Sequence, residues 1–436
     1  MNRLQSIFRL LPIAAACVAG PALATNGYFS HGYGIKAKGM GGASAAMAQD
    51  SLGGATNPAS MVWVGNRFDL GADIFMPKRD AERSGAQPPG STLNGFIDSD
   101  KTSFLVPEFG YNRMMSSDLS LGVSVYGNGG LNTTYPQGNF DCGQGPANIL
   151  CGSGKLGVDL MQLIVAPTLA YKLNAQHAVG VSLLLGYQRF KATGLQAFSP
   201  LSSSPGNLYN NGYASSTGVG LRLGYQGRIN DMLTVGAAYT PKMNMGEFDK
   251  YKGLFAEKGG FDIPSHFNVG LAFMPTPAVT VAVDFGRINY SDAKAVNNPM
   301  SRALSCAPAD PSSCLGGANG PGFGWQDIDV FKLGVAWRMS DALTLRAGYN
   351  KGENPITAAD VTFNILAPGV MKDHYTAGFT WALDKDSEIS GALMIAPRQN
   401  VTGSSLFNDL FGPGAGGTEK IGMKQTSIGL AWGRKF

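Results

Sequence analysis

Two close cysteine pairs, Cys142/Cys151 and Cys306/Cys314, are the residues whose spacing most plainly could do chemistry. Both pairs sit in loop-like sequence. In an exported protein the simplest reading is a local disulfide within each pair. A zinc site is the alternative, but the spacings are not C-x-x-C and no histidine lies close in sequence. The four histidines, His31, His177, His266 and His374, are scattered without metal-ligand spacing. No G-x-S-x-G element occurs, and Gly218-x-Gly220 lies in a strand-like run rather than before a helix, so it is not a nucleotide loop. The pattern therefore implies no enzyme, no metal and no cofactor. What remains is binding chemistry. Arg346, inward by strand alternation, could meet an anionic ligand or pair with a neighbouring carboxylate. Tyr28, Phe29 and Tyr33 could touch an apolar ligand or wedge a packed segment.

The elements that would position such groups are strands, and the chain ends on the clearest of them. Counted back from the terminus, Phe436, Arg434, Trp432, Leu430 and Ile428 share one face, and Lys435, Gly433, Ala431, Gly429 and Ser427 share the other. A period of two with large apolar residues on one side is a strand with two environments. A closing strand of an outer-membrane barrel has this form, with its large side chains toward lipid and its terminal aromatic at the interface. Phe436 is then the expected signal to the barrel-assembly machinery.

The first 24 residues read as a signal peptide. Arg3 and Arg9 precede a short apolar run over Leu10–Gly20, and Ala22-Leu23-Ala24 has the small-x-small form of a cleavage site, so the mature chain is expected from Thr25. The leader holds two arginines and no acid, so the net charge falls from +4 to +2 without it. That excludes a strong electrostatic case for nucleic acid. No remaining segment holds ~18 uninterrupted apolar residues, the length a spanning helix needs. Charged residues make up only 15% of the chain, while glycine and aromatics are abundant.

Tight turns are expected at Met115–Asp118, Asn174–Gln176, Asn230–Asp231, Pro275–Pro277, Ser340–Asp341 and Asp384–Asp386. An alternating run follows most of them, such as Leu119, Leu121, Val123 and Val125 against Ser120, Gly122 and Ser124. Fourteen strands are predicted near 66–76, 103–114, 118–127, 159–173, 177–193, 214–229, 232–245, 261–274, 278–290, 326–339, 342–351, 371–383, 387–396 and 424–436. Their connections alternate strictly between short and long. Short periplasmic turns, long extracellular loops and an even strand number are the bacterial barrel pattern. Lipid offers no hydrogen-bond partners, so such a sheet must close. The fold class is thus all-β transmembrane: a 14-stranded antiparallel barrel over 66–436. It is expected to be a monomer among outer-membrane lipid and lipopolysaccharide.

Residues 25–65 do not alternate. They are rich in Gly and Ala, with Asp50 as a candidate cap and Asn57-Pro58 as a cap and first-turn pair. Such a segment could fold back as an N-terminal hatch plugging the lumen, or trail as a disordered periplasmic tail. It is low in charge for a solvated tail.

Here the sequence resembles a known family. Asn26-Gly-Tyr-Phe, His31-Gly-Tyr-Gly, Lys38-Gly-Met-Gly-Gly-Ala and Asn57-Pro58-Ala59 look like the FadL/TodX family of outer-membrane transport proteins, and Ala166–Asn174, Asn354-Pro-Ile and Leu366-Ala-Pro-Gly369 agree. The resemblance implies passive uptake of hydrophobic small molecules, mainly long-chain fatty acids, with aromatic or other uncharged hydrocarbons as the alternative; a general porin and a structural barrel are the rival readings. Ligand would pass from an extracellular groove to an apolar lumen pocket. A movement of the extreme N-terminus would then release it through a lateral gap. That gap would lie where the third strand kinks beside the Asn57-Pro58-Ala59 turn, with Gly127 and Gly129 permitting the distortion. It further implies a ligand-facing cation at Arg189, for which a lumen ion pair is the alternative. A second family cation falls at Gln326, a departure that leaves room for uncharged hydrocarbons.

Overall fold

The computed structural model describes residues 26–87, 93–138, 140–143 and 145–436. The expected leader, its cleavage site and Thr25 lie outside the described residues. Fourteen strands form one closed antiparallel wall: β1 (Arg67–Ser84), β2 (Phe104–Met114), β3 (Leu119–Tyr135), β4 (Leu156–Lys172), β5 (His177–Thr193), β6 (Ala214–Arg228), β7 (Leu233–Thr240), β8 (His266–Thr276), β9 (Val279–Ile288), β10 (Ile328–Arg338), β11 (Leu343–Gly352), β12 (Asp373–Ala382), β13 (Ser387–Ser404) and β14 (Thr418–Lys435). Each pairs with its neighbour in sequence. β1 closes on β14 along its whole length, from Arg67↔Lys435 to Ser84↔Thr418.

All fourteen expected strands are present, and the short and long connections alternate as read. The upper ends differ. β1, β3 and β13 each run eight residues further than the pattern suggested, to Ser84, Tyr135 and Ser404, and β14 begins earlier. Outward residues there become polar, as Lys78 and Glu82 do on β1, because the wall continues above the lipid belt. Alternation of hydrophobicity stops where lipid stops. β7 instead ends at Thr240, and the chain after it turns into the lumen, where Met245 bridges Gly218.

The outer face carries exposed Leu70, Ile74, Leu183, Leu221, Leu271 and Leu430. Trp337, Trp381 and Trp432 ring its periplasmic edge, and Tyr187, Tyr239 and Tyr375 its upper edge. In water this belt would be one large exposed apolar patch; between aromatic girdles it is a lipid-facing surface. Phe436 is exposed and stacks on Tyr111 at 5.7 Å.

Residues 26–66 lie inside the wall, nearly all buried. Glycines on the inner face make this possible. A Cβ on Gly236 would stand 2.0 Å from the Ala45 carbonyl oxygen, and one on Gly348 would stand 2.1 Å from the Met40 carbonyl carbon. The wall is bare where the inner segment's backbone touches it, the close approach that glycine permits. The segment bonds its own backbone in short turns, and wall side chains satisfy further N–H groups. Asp284 accepts from the Ser44 and Ala45 N–H groups at 2.8 and 2.9 Å. Glu108 accepts from Ile35 N–H at 2.9 Å, and Asp69 from Ser51 N–H at 2.9 Å. Lys38 is buried in the segment and faces Asp73 at 3.0 Å and Glu108 at 3.6 Å.

Gly348→Leu is expected to leave a heat-modifiable barrel while displacing the segment. Single-channel recording should then show steady conductance that the parent lacks. A variant as closed as the parent would contradict this packing.

Candidate functional site

Five long connections fold over and into the upper lumen and build a small apolar cavity. Its wall includes Leu150, Phe198, Phe255, Phe323, Phe363 and Leu366, with no charged side chain. Phe198 also lines an open extracellular groove that contains Phe407, Leu410 and Phe411. The groove and cavity therefore share one aromatic wall. Both cysteine pairs are bonded, Cys142 to Cys151 and Cys306 to Cys314. The first bond borders the groove.

Below the cavity stands an aromatic partition. Tyr28 of the inner segment packs on Phe261, Tyr290 and Trp325 with ring centroids 5.5–6.0 Å apart. Phe261 and Trp325 in turn touch the cavity residues Phe255 and Phe323. The Tyr290 hydroxyl donates to the Asn26 carbonyl at 2.6 Å and accepts from Tyr28 N–H at 3.2 Å. Burial raises its pKa well above the ordinary phenol value, so it stays a neutral donor. Phe29 is buried, lies edge-on to His266 at 5.1 Å, and bridges Gly129 of β3.

Next to Tyr28, whose ring packs on Phe29, is a second cavity lined by Asn26, Phe29, Tyr33, Arg222, His266, Asp284 and Lys332. Its three cations differ in availability, and Arg287 is paired with Asp327 and Asp329. Arg222 donates to the Gly54 carbonyl at 3.2 Å, the Thr240 hydroxyl at 2.8 Å and the Tyr126 hydroxyl at 3.1 Å. Lys332 forms no ion pair among the described residues, but it stands opposite Asp284 in the β9–β10 register, and Asp284 accepts from Ser44 and Ala45 through one carboxylate oxygen while the other has no hydrogen-bond partner. A deep lysine held in no ion pair, with Asp284 as its cross-strand neighbour, can receive a ligand carboxylate. Close by, the His31 and His374 rings stack at 6.1 Å. Burial, then the neighbouring His374 ring, hold His31 neutral, well below its ordinary pKa.

The wall is breached beside this site. β2 pairs with β3 only from Met114↔Ser120 to Phe109↔Val125. Above that, β2 pairs with β1 alone and β3 with β4 alone. β3 carries a register shift between Gly127 and Gly129, and inward positions change from even to odd across it. Asp100 N–H to Thr134 carbonyl, 2.8 Å, closes the top of the gap. Gly130 N–H donates to the Tyr28 carbonyl at 3.3 Å, so the tip of the inner segment is bonded to the distorted strand.

The structure separates several residues that the sequence grouped. Arg189 shares the outward parity of Leu183, Leu185 and Tyr187 on β5 and covers the Tyr213 ring at 4.6 Å, so it does not face the lumen. Gln326 is exposed in a loop and lines neither cavity. Arg346 is inward and donates to the Thr380 hydroxyl at 2.7 Å near the periplasmic end, away from both cavities. Asn57 caps its turn through Ala59 N–H at 3.1 Å and donates to the Tyr225 carbonyl at 2.9 Å. The Asn57-Pro58-Ala59 turn thus rests on Gly180 and Gly224 of β5 and β6, not beside Gly127 and Gly129. Lys332 was missed, although Val330, Lys332 and Gly334 alternate with Phe331 and Leu333, which places it inward.

A closed wall with a lipid-facing belt, a filled lumen and internal apolar space defines an outer-membrane transport barrel. Residues 15–404 match the family model described as outer membrane protein transport protein (OMPP1/FadL/TodX), and the chain belongs to that family. It is an outer-membrane transporter of hydrophobic compounds, not an enzyme. Among solved structures it is similar to the Pseudomonas putida toluene transporter TodX, at 19% identity over 93% of this chain and 99% of that chain, with a TM-score of 0.67. A Pseudomonas aeruginosa FadL homologue matches at 14% identity over 94% and 100%, with a TM-score of 0.66. The Ralstonia pickettii toluene transporter TbuX matches at 17% identity over 93% and 99%, with a TM-score of 0.62. These likenesses show the fold. No curated protein matches the chain by sequence.

Proposed function

We propose that the protein takes up long-chain fatty acids passively. The observation that carries this reading is the series of an uncharged apolar cavity and a second cavity bearing Lys332, divided by Tyr28. The acyl chain first leaves water in the groove at Phe411 and Leu410, then passes Phe198 into the apolar cavity. Each buried methylene gains about 0.8 kcal/mol, so no energy source is needed for capture. Movement of Asn26–Phe29 joins the two cavities, and the Lys332 ammonium receives the carboxylate. Release runs past Gly129 and Gly130 through the gap between β2 and β3 into the membrane. That route keeps an apolar solute out of water throughout. In this reading residues 26–65 are a hatch whose body is fixed by Lys38 and Asn57 and whose tip is the moving part.

A second reading has one observation in its favour: Phe198, Phe255, Phe323 and Phe363 make the upper cavity strongly aromatic. Uncharged aromatic hydrocarbons would suit it, and the similar barrels TodX and TbuX are toluene transporters. Lys332 would then be idle. Uptake of a radiolabelled long-chain fatty acid and of labelled toluene, compared in cells with and without the protein, separates the two. Fatty-acid uptake that depends on the protein is expected; dependence confined to toluene would overturn the acid reading.

A further inference from the structure

Arg189 and Lys191 are left without a lumen role, and their surroundings suggest another. We propose that they form, with Tyr213, a binding site on the outer wall for the phosphate of an anionic outer-leaflet lipid. Both side chains lie over the Tyr213 ring, Arg189 at 4.6 Å and Lys191 at 4.9 Å. The ring fixes the two cations side by side, which their mutual repulsion opposes unless an anion joins them. Neither forms an ion pair among the described residues, and the Arg189 Nε is buried without a hydrogen-bond partner in the protein. One carboxylate stands among them: Asp159, opposite Lys191 in the register, accepts from the Tyr213 hydroxyl at 2.7 Å and faces Lys101 at 3.5 Å. The patch of Arg189, Lys191 and Lys101 against Asp159 is therefore net positive.

Its height fits the partner. The outward apolar run on β5 begins at Val179 and ends at Tyr187. At about 3.3 Å per residue and a tilt near 40°, Arg189 stands roughly 25 Å above Val179, the height of the apolar band of such barrels. The cations thus sit where acyl chains end and phosphorylated headgroups begin. A phosphate there presents several acceptor oxygens to a guanidinium and an ammonium, a charge-assisted geometry. Lys101 and Asp159 extend the patch toward the open edge of β3, so a lipid held here would stand beside the gap.

The test is native mass spectrometry of the full protein in detergent with bis-phosphorylated lipid A, against R189Q/K191Q and against K385Q, which removes an exposed cation at a periplasmic turn. Heat-modifiable gel migration checks that each barrel is folded. The parent and K385Q should retain the lipid equally, and R189Q/K191Q should lose about tenfold in bound fraction, as removal of a charge-assisted contact gives. Dephosphorylated lipid A should bind the parent as weakly as the variant binds the phosphorylated form. Equal retention by R189Q/K191Q, or of the dephosphorylated lipid, would overturn the proposal. If the double variant does not fold, K191Q alone is read the same way, with a smaller expected loss.

Discussion

Replacing Lys332 by methionine is expected to weaken binding of a long-chain fatty acid by roughly ten- to a hundredfold, because a hydrogen bond to a charged group contributes about 1.5–3 kcal/mol. Methionine keeps the length and the apolar stem of lysine, so the cavity wall survives and only the charge goes. Arg222 cannot substitute, since its donors are held by Gly54, Thr240 and Tyr126. An alkane of equal length, or the methyl ester, should bind the variant and the parent alike. Fluorescence displacement on the purified protein measures both. Equal loss for acid and ester would mean that the substitution damaged the cavity rather than removed a carboxylate partner. No loss for either would leave Lys332 outside the ligand path.

Lys38→Met should have the largest effect on the inner segment. Lys38 neutralises Asp73 and Glu108 together, with all three side chains buried. Removing one partner of a buried ion pair costs about 3–5 kcal/mol, because the remaining charge is left in low dielectric. Two carboxylates would be stranded here, and Asp73 would keep only the Ser427 hydroxyl at 2.5 Å. The wall does not depend on Lys38, since its ladder closes through β1 and β14. The expected result is a folded barrel whose inner segment is released at lower urea, read by proteolysis between residues 26 and 66. Adding Glu108→Gln to Lys38→Met should recover part of the loss, a coupling that a double-mutant cycle measures. Additive effects would show that the pair is not coupled.

Much of this arrangement was written in the alternation of side chains. Trp432, Leu430 and Ile428 marked the lipid face of β14, and Gly429 on the opposite face leaves room for the Ile35 side chain of the inner segment. The order of short and long connections gave strand number and direction. Gly127 and Gly129 marked the place where β3 shifts register, since an extra residue in a strand favours glycine. Asn57 before Pro58 marked a capped turn, and the cap is present.

One placement was legible and misread, and another was not legible at all. Alternation was sufficient to place Arg189 outward with Leu183, Leu185 and Tyr187, and to place Lys332 inward with Val330 and Gly334. The family resemblance pulled Arg189 the other way, and local parity decided it. The apolar cavity was out of reach by any local pattern. Leu150, Phe198, Phe255, Phe323 and Phe363 come from different connections, and nothing in their spacing brings them together. The seat of Asn57 on β5 and β6 is of the same kind, set by Gly180, Gly224 and the Tyr225 carbonyl far along the chain.

The claim at the centre is that ligand travels through the interior of the barrel. A crystal structure with a long-chain fatty acid brominated at its methyl end tests it most directly, because anomalous scattering locates the bromine without reference to the rest of the density. The expected bromine position is inside the cavity bounded by Leu150, Phe255 and Phe363, with the carboxylate end directed toward Tyr28 and Lys332. Bromine confined to the outer face of the wall, with both cavities unchanged, would contradict it.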